Sequence, residues 1–228
     1  FDQTHYNHHP VDDAASRQLL QNYIDSIDYN HMILEKSDID AFQAAYGDTL
    51  DDRLKEGDVA PAYDIFKRFL ARVEERSALV KTLTASTFTF TSDESLLVDR
   101  HEAPWPATAE EARDLWRMRI KHEVLQEKLD GAKPEDQIKT VNTRYERLLR
   151  TFKEYDSSDI LQTYLTALAH AFDPHSDYMA APQAENFNIS MKLSLVGIGA
   201  VLRSEDGYAK IVSLVPGGPA ESDKRLKP

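Results

Sequence analysis

Three clusters in this 228-residue chain have residue types and spacing that could do chemistry. Val196-Gly197-Ile198-Gly199 sits between apolar runs, and its glycines let successive backbone N–H groups turn toward one point. Such a loop can hold a terminal carboxylate without a cation, so Leu195, Val196, Gly197, Ile198 and Gly199 are the expected binding residues. It is not a dinucleotide fingerprint, because a strand follows it and position 202 is Leu. Asp173-Pro174-His175-Ser176-Asp177 has the spacing that opens a calcium loop, but Tyr178 stands where the sharp-turn glycine belongs and Ala184 where the closing glutamate belongs. Its Ser, His and Asp are too close in sequence to form a triad, whose members converge from separate segments. Pro174 ends a helix there, and the polar residues turn the chain. His5, His8 and His9 include a His-x-x-His spacing, yet no third ligand type stands nearby. Neither a metal nor a cofactor is expected.

The elements that must position the loop are short. Residues 191–195 alternate apolar and polar and are predicted as a strand, 198–202 as a second and 208–215 as a third. Ser204-Glu205-Asp206-Gly207 is a turn between the last two, and Pro216-Gly217-Gly218-Pro219-Ala220 closes the sheet segment and opens a helical turn. Everything upstream reads as helix. Asp12 or Asp13 can cap a first helix with Leu19, Leu20, Tyr23, Ile24 and Ile27 on one face. Asn30-His31 breaks it, and Ser37 with Asp40 is expected to start a second. Asp58 is expected to cap a third that carries Ile65, Phe69 and Val73, with Pro61 in its first turn. Residues 87–91 alternate with period two and read as a short extended segment. Trp105, between two prolines, is read as an apolar anchor that pins a loop. Thr108 with Glu111, Pro134, and Ser157 or Ser158 open the remaining helices, the first of which stops at Gly131. Residues 1–188 thus read as one all-helical domain of about six main helices.

Composition narrows the function. At 41% hydrophobic and 29% charged the chain is globular, and no run approaches the roughly 18 apolar residues of a membrane span. The absence of cysteine excludes disulfides and thiolate metal sites. The net charge of −12 resides in residues 1–188, since 189–228 carry more Lys/Arg than Asp/Glu. An acidic body argues against nucleic acid or an anionic lipid surface as partner. The chain opens on Phe1-Asp2-Gln3 and no signal peptide is visible, so any leader is expected to have been removed or to lie outside these residues.

Taken together, Phe-Asp-Pro-His-Ser-Asp-Tyr-Met at 172–179, the stretch 184–202, and Val-Pro-Gly-Gly-Pro-Ala at 215–220 resemble the tail-specific, or C-terminal processing, serine proteases. Residues 23–40 and 97–106 resemble the helical region that precedes the PDZ domain in the long bacterial branch of that family. The resemblance implies a mainly α fold: an all-helical N-terminal domain over 1–188, then the first strands of an incomplete PDZ domain over 189–228. It implies a periplasmic endopeptidase with a Ser/Lys dyad, no cofactor, the C-terminal tails of protein substrates as ligands, and an adaptor protein as a further partner. No Ser or Lys here matches the family's catalytic motif, so these residues by themselves are expected to be inactive. The other reading is a non-enzymatic helical adaptor carrying a peptide-binding PDZ module. In either case Val201, Leu202, Ile211, Val212 and Leu214 have few local partners, and the strands are expected to pack on the helices or self-associate through their edges.

Overall fold

The computed structural model describes residues 5–6, 9–192, 197–205 and 208–228. The chain divides into two compact units, Phe1–Tyr178 and Met179–Pro228. It is mainly α, as the sequence implies.

The first unit contains helices α1 (Asp13–Ile27), α2 (Lys36–Tyr46), α3 (Leu50–Lys55), α4 (Ala60–Thr84), α5 (Ala109–Leu129), α6 (Pro134–Glu154) and α7 (Ser157–Phe172). The apolar stripes read from the sequence become two cores that share α4. Leu19, Tyr23 and Ile24 of α1 meet Ile65 and Phe69 of α4 and Tyr164 of α7. Tyr23 packs edge-on to Tyr164 at 5.1 Å, and the Tyr23 hydroxyl donates to the Ala62 carbonyl at 2.9 Å, so its own polar tip is paired. The second core joins Val80 of α4, Trp116 and Ile120 of α5, and Val141 and Tyr145 of α6. Trp116 donates its Nε1 proton to the Met32 carbonyl at 2.8 Å.

Caps decide where the helices begin. Asp12 caps α1 by accepting from the Ala14 and Ala15 N–H groups. Thr108 accepts from the Glu111 N–H at 3.2 Å, but the Glu111 carboxylate reaches past it to the Ala107 N–H. Asp58 accepts from the Ala60 N–H at 2.9 Å, but the N-cap of α4 is Val59. Two further expected caps move. The second helix starts at Lys36, with Glu35 as its N-cap and Asp38 as the reciprocal partner, not at Ser37. The last long helix starts at Ser157, with Asp156 and Asp159 as the capping pair. In both, a carboxylate one or more residues earlier outcompetes the serine because its charge also meets the positive end of the helix.

Polar groups then lock α2 to α4. Arg72 donates to Asp38 at 2.7 Å and to Glu35 at 2.9 Å, and Arg76 donates to Glu35 at 2.8 Å; all four side chains are buried. Burial works to raise the Asp38 carboxyl, but the hydrogen bonds from Arg72 and Arg68 outweigh it and hold the group below its ordinary value. The chain leaving α1 is held by Asp28, whose carboxylate accepts from the Met32, Ile33 and Leu34 N–H groups and from Trp105 Nε1. Trp105 also stacks on His31 with centroids 3.6 Å apart. The anchor is therefore polar at one end as well as apolar.

The second unit contains α8 (Ala181–Lys192), β1 (Ala200–Glu205), β2 (Tyr208–Leu214) and the short α9 (Pro219–Asp223). β1 and β2 form an antiparallel pair, with Ala200 opposite Leu214 and Glu205 opposite Tyr208. The register shifts between Val201, opposite Ser213, and Leu202, opposite Ile211, so Val212 is the extra residue of a bulge. The strand expected over 191–195 is corrected at its start, because Met191 and Lys192 end α8. Phe187 and Met191 are four residues apart, which suits a helix as well as the alternation suited a strand. Residues 193–195 of that expected strand lie outside the described residues. The expected junction at 188/189 falls inside α8.

Candidate functional site

The glycine loop is held from behind. Of the expected binding residues, Leu195 and Val196 lie outside the described residues, and Gly197, Ile198 and Gly199 enter β1. The Gly199 carbonyl accepts from the Val215 N–H at 2.8 Å, and the Ile198 carbonyl accepts from the Ala220 N–H at 2.9 Å. Thus the loop is pinned by its carbonyls to the turn that follows β2 and to the start of α9. Its N–H groups are left over: among the described residues, none accepts from Gly197, Ile198 or Gly199.

Glycine at 199 is a geometric requirement. Its φ is +75°, a left-handed backbone that side chains other than glycine adopt only with strain. A Cβ there would stand 3.2 Å from the Gly218 Cα and 3.3 Å from the Pro219 Cδ. Gly218 is pressed from the other side, since its own Cβ would meet the Val215 carbonyl oxygen at 2.9 Å. Gly217 donates to Glu221 at 2.6 Å, which fixes the turn. The two glycine clusters read separately in the sequence therefore form one packed corner. Ile198 beside it is 55% exposed, an apolar surface next to open backbone donors.

The other chemical motifs do not assemble. Ser176 donates to Asp173 at 3.0 Å and His170 pairs with Asp177 at 3.0 Å, so the polar run is a local turn network. His5 reaches Ser176 only at 3.4 Å, while His8 lies outside the described residues. Among the described residues, no three His, Cys, Asp or Glu side chains are grouped to hold a metal. One pair that the sequence did not suggest is Lys121 and Ser92, with Nζ 2.9 Å from Oγ. This resembles a lysine poised to activate a serine, but the same ammonium contacts Glu94. Hydrogen bonds from Lys121 and Arg117 hold the Glu94 carboxyl down to about 2, so it is ionised at neutral pH. The pair is thus part of an ion-pair cluster in which Glu94 joins Lys121 to Arg117. Among the described residues, no helix is long and apolar enough to cross a membrane.

The chain is a helical unit followed by a hairpin unit whose glycine corner leaves backbone donors open among the described residues. It belongs to the tail specific protease N-terminal domain family, whose model matches residues 1–182. Over 226 residues it is 36% identical to the tail-specific protease of Haemophilus influenzae, covering 99% of this chain and 32% of that protein. It is also 31% identical over 83 residues to the carboxy-terminal processing protease CtpA of Bacillus subtilis, which is 36% of this chain and 18% of that one. The chain thus spans about a third of the length of the Haemophilus relative.

Proposed function

We propose that this chain is the N-terminal, substrate-recognising part of a periplasmic tail-specific serine endopeptidase. In this reading residues 197–220 belong to a PDZ domain that binds the apolar C-terminal tail of a protein substrate by strand addition. The carboxylate is received by the Gly197–Gly199 backbone donors, and the last apolar side chain of the tail lies against Ile198. The observation that carries this is the corner at Gly199 and Gly218, which uses the loop's carbonyls internally and leaves its N–H groups for a ligand. The exposed Val201, Leu202 and Val212 support further strands or a second copy covering the hairpin. The serine nucleophile and its neutral lysine base are placed outside these residues, and an adaptor protein is assigned to the helical unit by family resemblance alone. Nucleic acid is not a partner of so acidic a chain.

Two outcomes follow. Gly199→Val in the full-length protein is expected to weaken binding of an apolar tail peptide by about tenfold or more, because Cβ displaces the corner that aims the donors. Calorimetric titration checks this, and unchanged affinity in a folded variant removes the loop from the site. The 228-residue chain by itself is expected to leave such a substrate uncut. Cleavage that persists through rigorous purification, and is lost on substitution within the chain, contradicts it.

A further inference from the structure

Residues 85–108, between α4 and α5, carry no helix or strand. A connection of that length in a compact unit normally has a task of its own. It is not loose: Glu94 pairs with Arg117 at 2.9 Å, Trp105 bonds to Asp28, and the Pro106 carbonyl accepts from Lys36 at 2.9 Å. Within it, Thr87, Thr89 and Thr91 are exposed while Phe88 and Phe90 are half-buried against the second core. That is the alternation of a strand lying on a core. Yet among the described residues no backbone N–H or carbonyl of 87–91 makes a hydrogen bond.

The segment is thus a strand edge without a neighbour. Natural edges are usually guarded by charge or proline, and the sequence from 82 to 92 has neither. Two cations overlook it instead. Lys121 and Lys128 stand 6.0 and 5.1 Å from the Phe90 ring centroid. The Lys121 ammonium is taken by Glu94, whereas Lys128 has no acidic partner among the described residues. Beside the edge runs a groove of about 210 Å³ lined in part by Phe90, Leu96, Val98, Met118 and Leu125.

We propose that residues 87–91 are a strand-addition site for an extended polypeptide, apolar at alternate positions and bearing an acidic side chain that faces Lys128. The open ladder supplies the main-chain bonds, the groove takes one apolar side chain, and Lys128 selects charge. The site lies in the helical unit and does not depend on the 197–199 loop. An extended stretch of an unfolded protein has the required chemistry at any point along its length, not only at its tail.

The test uses the full 228-residue chain and a short labelled peptide alternating Val and Thr with one central Glu. Acetylation and amidation of the peptide remove any contribution from terminal carboxylate capture. Fluorescence anisotropy is expected to show binding that Thr89→Pro weakens by about tenfold, the loss of one or two ladder bonds. Lys128→Glu is expected to weaken it about threefold and to prefer a peptide with Lys in place of Glu. Circular dichroism checks that both variants keep the parent's helix content; should the proline variant unfold, the charge exchange decides. The proposal is overturned if the parent chain does not bind up to about 1 mM. It is also overturned if neither variant alters binding, or if sedimentation shows a dimer that Thr89→Pro dissolves, since a second copy then occupies the edge.

Discussion

Asp28→Ala is expected to destabilise the helical unit by about 3–5 kcal/mol, a large fraction of what a domain of this size possesses. The Asp28 residue is 3% exposed, and its carboxylate accepts from three successive backbone N–H groups and the Trp105 indole within 2.9–3.2 Å. Alanine leaves those donors buried with nothing to replace the acceptor. Each orphan costs about 1–3 kcal/mol, and partial relaxation toward water reduces the sum. The effect should spread, because the same carboxylate fixes the chain between α1 and α2 and, through Trp105, the end of the long connection. Asp28→Asn keeps one carbonyl oxygen and should lose about half as much. Denaturant midpoints measure both; an alanine variant within about 1 kcal/mol of the parent means that this carboxylate does not organise the segment.

Arg72→Met should cost about 3–5 kcal/mol, whereas Arg68→Ala should cost under about 1 kcal/mol. Both arginines bond to Asp38. The Arg72 side chain is 11% exposed and bridges two buried carboxylates, so removing it strands charge in the interior. Arg68 is 43% exposed, and water screens its share. The acid response should change in step. The folded protein holds the Asp38 carboxyl below its ordinary 3.8, so its contribution is present above that pH and is lost as pH falls through the lower folded value. Without Arg72 that depression shrinks, the carboxyl protonates at higher pH, and the stability lost below about pH 4 becomes smaller while the neutral-pH stability is already reduced. Equal losses from the two arginine substitutions contradict the buried network.

The helices were legible because their apolar faces repeat over several turns, as in Leu19, Tyr23 and Ile24 or Ile65, Phe69 and Val73. The hairpin was legible too, from apolar runs on both sides of a turn signal at 204–207. Caps were misread where a carboxylate stands within a turn of the expected serine, as Glu35 does of Ser37 and Asp156 of Ser157. The choice depends on where the buried face begins. The six-residue α3 escaped notice because it is too short to establish a period. The strand expected over 191–195 failed at Met191 and Lys192 for the same reason: five residues fit either repeat. The polar locks were hidden in another way. Asp28 and Trp105 are 77 positions apart, and Glu35 and Arg76 are 41 apart, so the charged residues read as ordinary surface, and Trp105 as apolar only, until the fold joins them. At the glycine loop the clamp was hidden, since nothing in Gly199 announces its contact with Gly218.

Paired calorimetric titrations of the full-length protein test the central claim most directly. Two apolar peptides of identical sequence are compared, one ending in a free carboxylate and the other in a C-terminal amide. A tail-recognising loop built from the backbone donors of Gly197, Ile198 and Gly199 should bind the free acid at least about tenfold more tightly, the worth of a charge-assisted hydrogen bond. Equal affinity for the acid and the amide, or binding of neither, contradicts it.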